Sequence, residues 1–362
     1  MQAKTLGTLT TSAIGLGSMG MSAAYGDADR DESVATVRTA LEAGITLLDT
    51  ADFYSMGHNE LLLADALRDV PRDAYQLSVK FGAQIGPDGS WFGFDARPAA
   101  VKTAAAYTLQ RLGTDHIDIY RPARLDPAVP IEDTIGAVGE LVDAGYVRHI
   151  GLSEVGSDTI RRAAAVRPIS DLQIEYSLAS RGIEGGILDT CRELGIGVTA
   201  YGVLSRGLIS GHWTKSSAGQ GDSRSIGPRF SGGNLDRNLA LVEMLRGVAG
   251  ELGITVAQSA IAWVASRGRD IVPLIGARTR TRLAESIGAL DVTLADDQLG
   301  SRRRYRPTRW RVSVIPQRTW RPWTPSADAI HTVCAPGMIR TCDTGFRRAV
   351  LYPLSYGGWG RL

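Results

Sequence analysis

VRHIGLSEVGSDTIRRAAAVRPISDLQI, residues 147–174, holds one complete unit of the pattern that decides the fold. Val147–Leu152 is a short, mostly apolar run of the kind a buried strand needs, Asp158–Val166 has helical period, and Asp171–Ile174 alternates polar and apolar again. A helical segment between two short strands links parallel neighbours in one sheet. The same rhythm runs in both directions. Strands are predicted at Ser12–Leu16, Ile45–Leu48, Tyr75–Lys80, His116–Tyr120, Gly197–Tyr201 and Ile271–Leu274 besides the two above. Helices are predicted at Glu32–Ala43, Glu60–Leu67, Ala99–Leu112, Ile131–Ala144, Gly186–Leu194, Leu239–Leu252, Val256–Ser266 and Arg280–Ala289. Gly44, Gly113, Gly145, Gly195 and Gly253 fall where a helix needs a left-handed cap. Eight alternations in about 290 residues predict an α/β protein, a (β/α)8 TIM barrel.

Composition supports a globular chain but hides a break. The 362 residues carry 40 Lys plus Arg against 38 Asp plus Glu, net +2, and are 44% hydrophobic. That balance argues against a disordered chain and against a basic whole-domain binder of nucleic acid. No run of eighteen apolar residues occurs and the opening MQAKTLGTLTTSAIG lacks a signal pattern, so no membrane span is expected and a cytoplasmic location is the default. Cys191, Cys334 and Cys342 make neither a disulfide framework nor a metal cluster, so no metal is expected. Residues 1–300 hold 28 basic and 36 acidic residues, net −8, whereas the last 62 hold 12 and 2, net +10. That last stretch also has four of the seven Trp and six of the fifteen Pro. The expected organisation is a barrel over residues 1–299 and an irregular, disordered, basic tail over 300–362.

Gly15-Leu16-Gly17-Ser18-Met19-Gly20 matches the dinucleotide fingerprint G-x-G-x-x-G, yet about ten polar and small residues separate it from the next helical period. A glycine turn after the first barrel strand is the simpler reading; a Rossmann dehydrogenase is the alternative. The stretch Leu47-Leu48-Asp49-Thr50-Ala51-Asp52-Phe53-Tyr54 puts an acid at a strand end and a phenol in the following loop, where barrel enzymes keep their catalytic groups. Lys80, one of only four lysines, closes the next strand. A buried cation there needs a partner, and Asp49 is the natural one. A Tyr beside such a Lys is expected to have a lowered pKa and to act as a general acid toward a carbonyl oxygen. A plain Asp–Lys ion pair beneath a hydrogen-bonded Tyr is equally compatible with the spacing.

The glycine turn, LDTADFYSMGHNE, SVKFG, IDIY with RLDPAVPIEDTIGAVGELVDAGYVRHIGLSE, LQIEYS and VTAYGVLSRGLISG resemble, in order, the strand-end motifs of the aldo-keto reductase family over about residues 5–299. The resemblance implies a metal-free barrel that reduces aldehydes and ketones with NADPH, Tyr54 being the proton donor and Lys80 and Asp49 tuning it. Hydride would pass from the nicotinamide to the carbonyl carbon. It also exposes a departure: where the family carries its usual catalytic His, this chain has Ala123, followed by Arg124. His116 and His149 lie at the opposite end of their strands, and His58 reads as a loop histidine.

For the cofactor, the resemblance implies Gly17 and Ser18 in the glycine turn, Ser153 and Gln173 on the carboxamide, Tyr201 stacking on the nicotinamide, and Leu204, Arg206 and Gly207 around the pyrophosphate. Glu154 replaces the family's Asn beside Ser153. After the eighth strand, the start of the next helix and its arginines suit a phosphate. There Arg278 is a cofactor candidate, and the resemblance implies Arg282 toward the 2′-phosphate and Glu285 with Ser286 on the adenine side, hence NADPH over NADH. Met19, Trp91, Phe92, Ala123, Arg124 and the loop Gly211–Asn234 would wall the substrate pocket. The expected partner is a small-molecule carbonyl compound. Ala123 and Glu154 motivate the alternative of an NADPH-binding protein with little turnover, such as a redox sensor.

The resemblance stops at Leu299, and GSRRRYRPTRWRVSVIPQRTWRPWTP follows instead of an Ala- and Glu-rich helix. An Ala-Asp-Ala-Val-Ala run shifted by one base reads Pro-Thr-Arg-Trp-Arg, the sequence of Pro307 to Arg311. Out-of-frame translation from about residue 300 is therefore expected. A genuine basic tail able to bind nucleic acid or an anionic membrane is the alternative.

Overall fold

The computed structural model describes residues 2–22, 24–214, 224, 228–230 and 232–294. The expected tail, its out-of-frame origin and most of the Gly211–Asn234 loop lie outside these residues.

Eight strands close into a barrel: β1 (Gly15–Gly17), β2 (Leu47–Ala51), β3 (Gln76–Phe81), β4 (Ile117–Pro122), β5 (Val147–Ser153), β6 (Ile169–Glu175), β7 (Gly197–Tyr201) and β8 (Ile271–Gly276). Each pairs in parallel with the next, and β8 returns to β1. The helices are α1 (Arg30–Glu42), α2 (His58–Leu67), α3 (Pro98–Leu112), α4 (Ile131–Asp143), α5 (Ser157–Val166), α6 (Gly186–Glu193), α7 (Gly232–Glu251), α8 (Val256–Ala265) and α9 (Arg280–Ile287). The architecture is the (β/α)8 barrel, and a Rossmann reading of Gly15–Gly20 does not hold: Gly15–Gly17 is a barrel strand followed by a 3-10 turn, Met19–Met21. The five cap glycines all have positive φ.

Two expectations shift. The predicted strand Ser12–Leu16 is divided, because Leu9–Ser12 pairs antiparallel with Ala3–Leu6 in a hairpin before the barrel begins. That hairpin closes the floor. Leu6 packs with Leu47, Ile119 and Val272, all four with no exposure, and Lys4 donates to the carbonyls of Ala265, Gly268 and Ile271 at 2.7, 3.0 and 2.5 Å. The helix expected from Leu239 starts at Gly232 instead. Its glycines obscure the start in sequence, but Leu241, Val242 and Leu245 pack on Leu208, Ile209 and Val256, and this tertiary burial fixes it.

The helices cover the barrel with an apolar layer that includes Val37, Leu63, Val101, Ile135, Ile160 and Leu188. Each such fully buried side chain contributes about 2 kcal/mol. A second hairpin, Ala83–Ile85 with Trp91–Phe94, leaves the end of β3 on the mouth side.

Candidate active site

Inside the barrel the inward positions of β2, β3, β4, β6 and β7 are polar, which an all-apolar core would not need. Asp49 on β2 accepts from Lys80 Nζ at 2.5 Å, Ser78 Oγ at 2.8 Å and Gln173 Nε2 at 2.7 Å, and Arg121 Nη1 lies 3.5 Å from its Oδ2. Lys80 Nζ also donates to the Thr50 carbonyl at 3.1 Å. One layer deeper, Arg121 Nη2 meets Asp171 Oδ2 at 3.0 Å, and Thr199 Oγ1 donates to the same oxygen at 2.5 Å. Lys80, Arg121, Asp49 and Asp171 are all buried. Two cations thus balance two carboxylates, the condition under which charge is tolerated in a low-dielectric interior.

Tyr54 stands above this set, in the turn between β2 and α2, and Lys80 Nζ lies 5.0 Å from the centre of its ring. The turn is rigid for local reasons. Ser55, Met56 and Gly57 take successive φ values of 47°, 52° and 90°, and Ser55 Oγ donates to the Ser22 carbonyl at 2.6 Å. The positive φ at Gly57 favours glycine, and a Cβ there would meet the Arg111 side chain at 2.8 Å. Asn59, fully buried, ties the glycine turn, β2 and α2 together: its Oδ1 accepts from Thr50 Oγ1 at 2.7 Å and its Nδ2 donates to the Ser18 carbonyl at 2.9 Å.

One expectation about this group is reversed. Burial, and after it the Asp49 charge, pushes the Tyr54 phenol well above its ordinary pKa. Lys80 does not pull it down, because its Nζ is spent on Asp49 and Thr50 and faces the ring rather than the hydroxyl. The Lys80 amine itself is lowered, by burial first, with Asp49 opposing and Arg121 adding to the shift.

The residues expected at the cofactor lie near or after the C-terminal ends of β1, β5, β6, β7 and β8. Gly17 pairs in register with Asp49; Ser18 is buried, its Oγ 2.7 Å from the Asp49 carbonyl. Ser153 is buried at the end of β5. Gln173 spends its Nε2 on Asp49. Tyr201 ends β7, and burial, with Glu154 next in importance, raises its phenol pKa. After Leu204, Ser205, Arg206 and Gly207 have successive φ values of 49°, 59° and 93°. Among the described residues Arg278 donates to the carbonyls of Tyr25 and Asp27, at 3.3 and 3.0 Å. Arg282 lies 3.1 Å from Glu285, in the first turn of α9. Ser286 is buried and donates to the Arg282 carbonyl, so it does not present its hydroxyl to the surface.

Sequence reading missed His212, whose Nε2 lies 3.1 Å from Glu285 Oε2 and 2.5 Å from Arg282 Nη1. It also missed Arg121, Asp171 and Asn59. Of the substrate candidates, Met19 is half-buried in its 3-10 turn, and Trp91 and Phe92 are on the second hairpin, Phe92 being 72% exposed. Ala123 is buried, its N–H donating to the Phe81 carbonyl at 2.8 Å. Arg124 follows it, half-buried. His58 is exposed and contacts Ser22 Oγ at 3.0 Å, while His116 and His149 stand beside the first residues of β4 and β5. Among the described residues no group of acids, His and Cys is placed to hold a metal ion, and no helix is long and apolar enough to cross a membrane.

A closed parallel barrel with an acid, a lysine and a tyrosine at its mouth defines the class. The Aldo/keto reductase family model matches residues 13–304, and the chain belongs to that family. It is therefore an oxidoreductase of the carbonyl-reducing class. The chain is 41% identical over 291 residues to "Probable aldo-keto reductase 1" of Glycine max, covering 80% of this chain and 83% of that one. Among solved structures it is similar to a glycerol dehydrogenase of Gluconobacter oxydans, with TM-score 0.77 and 27% identity over 84% of this chain and 96% of that one. It is likewise similar to an aldo/keto reductase of Klebsiella pneumoniae in complex with NADP and acetate, with TM-score 0.65, 27% identity and coverage of 84% and 96%. None of these relatives favours a binding protein without turnover.

Proposed function

We propose that the barrel reduces an aldehyde or ketone to the alcohol with NADPH, Tyr54 delivering the proton. The observation that carries this reading is the buried Lys80–Asp49 pair held under the Tyr54 ring. The residues fit the cofactor: Arg206 and Arg278 have no carboxylate within 4.0 Å among the described residues, so they offer cations to phosphates, and Arg282 lies in the first turn of α9 with Glu285 at 3.1 Å. Arg280 is committed to Glu32 at 2.8 Å and is not one of these. When bound, NADPH supplies hydride to the carbonyl carbon.

The chain's own work is on the oxygen. A phenol raised by burial stays protonated at neutral pH, as a donor must. When the carbonyl oxygen gathers charge, Tyr54 Oη gives up its proton, and the Arg124 charge favours the resulting phenolate. Asp49 keeps Lys80 in place and charged, and Tyr54 recovers its proton from solvent. Ser153, Gln173 and Tyr201 orient the nicotinamide end, and Leu204, Arg206, Gly207, Arg278, Arg282 and Glu285 hold the remainder. The barrel unit spans 1–299, with 300–362 a separate basic segment; the sign change in charge supports that division.

The test is to follow NADPH absorbance with 4-nitrobenzaldehyde and identify the product by mass spectrometry. Stoichiometric 4-nitrobenzyl alcohol is expected, with NADH the poorer donor. NADPH binding without alcohol would contradict the proposal.

A further inference from the structure

Arg124 differs in its partners from four other buried or half-buried arginines. Arg72 meets Asp118 at 2.6 Å, Arg229 meets Glu175 at 2.7 Å, Arg121 meets Asp171 at 3.0 Å and Arg111 meets Glu60. Arg124 has no carboxylate within 4.0 Å among the described residues. Its Nη1 donates to the Ala123 carbonyl at 2.6 Å and reaches Ser153 Oγ at 3.4 Å. Nε and Nη2, the edge that matches a carboxylate, have no hydrogen-bond partner there.

Among the described residues the neighbouring acids are engaged elsewhere. Lys80 is committed to Asp49, and Arg121 to Asp171. Glu154, the next acid along the rim, accepts from the Glu175 N–H at 2.9 Å and faces Tyr201. The contact with Ser153, the last residue of β5, places the guanidinium at the barrel mouth, and its charge lowers the Tyr54 and Tyr201 phenols. An uncompensated cation in a partly desolvated site is costly by itself and attracts an anion strongly.

We propose that Arg124 is the anion-binding group of the substrate pocket, and that the barrel's carbonyl substrate carries a carboxylate. The compound is an oxo acid or a formyl-bearing acid, its carboxylate paired with Nε and Nη2 while its carbonyl oxygen meets Tyr54. This rests on the carbonyl-reductase reading above and adds the class of substrate.

The experiment compares kcat/KM for 3- and 4-formylbenzoate with their neutral methyl esters, in wild type, Arg124→Met and Arg124→Lys, with NADPH. Wild type should favour at least one acid over its ester by about tenfold or more, a preference that weakens with added salt. Arg124→Met should lower that ratio by about tenfold, and Arg124→Lys should restore part of it. Benzoate binding to the NADPH complex, read by cofactor fluorescence, should weaken in Arg124→Met and so report on the site without turnover. If wild type reduces acids and esters alike, or Arg124→Met lowers both equally, the proposal is overturned while carbonyl reduction stands. If neither class is reduced and benzoate does not bind, both readings fall.

Discussion

Lys80 and Arg121 are register partners on β3 and β4, two buried cations side by side, and each is held by its own carboxylate, Asp49 at 2.5 Å and Asp171 at 3.0 Å. Arg121 fills the space beside Gly151, where a Cβ would approach its Nε to 2.8 Å, and its charge opposes that of Lys80, which Asp49 sustains. Arg121→Met should cost about 3–5 kcal/mol by stranding Asp171, whereas the double change Arg121→Met with Asp171→Leu should recover most of that loss. Urea unfolding of the three proteins checks this; equal losses in single and double variants would mean that packing, not charge, sets the cost.

Lys80→Met should bind NADPH nearly as wild type does but lose about 10²–10⁴-fold in kcat, because Asp49, stripped of its counter-ion beneath Tyr54, then opposes the phenolate that forms. Stopped-flow hydride transfer separates the two effects. A large loss of cofactor affinity with normal hydride transfer would remove Lys80 from the proposed role.

Asp52, two residues before Tyr54, is a further titrating group. Burial first, then the Glu60 charge, raises its carboxyl to about 7, and its Oδ1 has no hydrogen-bond partner. The folded protein therefore holds this proton where the unfolded chain, with a pKa near 3.8, has released it. Stability linked to Asp52 is full below about pH 4 and is lost as pH rises toward 7. Asp52→Asn should be more stable than wild type by about 1–2 kcal/mol at pH 8 and no more stable at pH 4. Denaturation midpoints at the two pH values read this out, and a pH-independent difference would contradict it.

Arg282→Ala should raise the KM for NADPH by about tenfold or more and that for NADH by less than about threefold, since only NADPH carries the 2′-phosphate. Equal effects would place Arg282 elsewhere on the cofactor. His212 shares contacts with Arg282 and Glu285, so His212→Ala should move the same ratio by a smaller factor.

The barrel was legible because every helix must bury one stripe and every strand is short, so Ile131–Asp143 and Gly197–Tyr201 declare themselves locally. The error at Ser12–Leu16 arose because alternation marks a strand but not its partner, and Leu9–Ser12 pairs with Ala3–Leu6 rather than within the barrel. Asp49, Tyr54 and Lys80 were readable from scarcity and position at strand ends. Arg121 and Asp171, fifty residues apart, meet only after closure sets which side of β4 and β6 faces inward. Seventy residues separate His212 from Arg282, and no local pattern announces their contact. The Tyr54 pKa failed for a different reason: spacing gives the proximity of Lys80 but not its direction, and burial outweighs the nearby charge.

Single-turnover reduction of 4-nitrobenzaldehyde by the NADPH complex of Tyr54→Phe tests the central claim most directly, because the substitution removes only the hydroxyl. NADPH affinity should match wild type while hydride transfer falls by about 10²–10⁴-fold. Hydride transfer within about threefold of wild type would contradict the assignment of Tyr54 as proton donor.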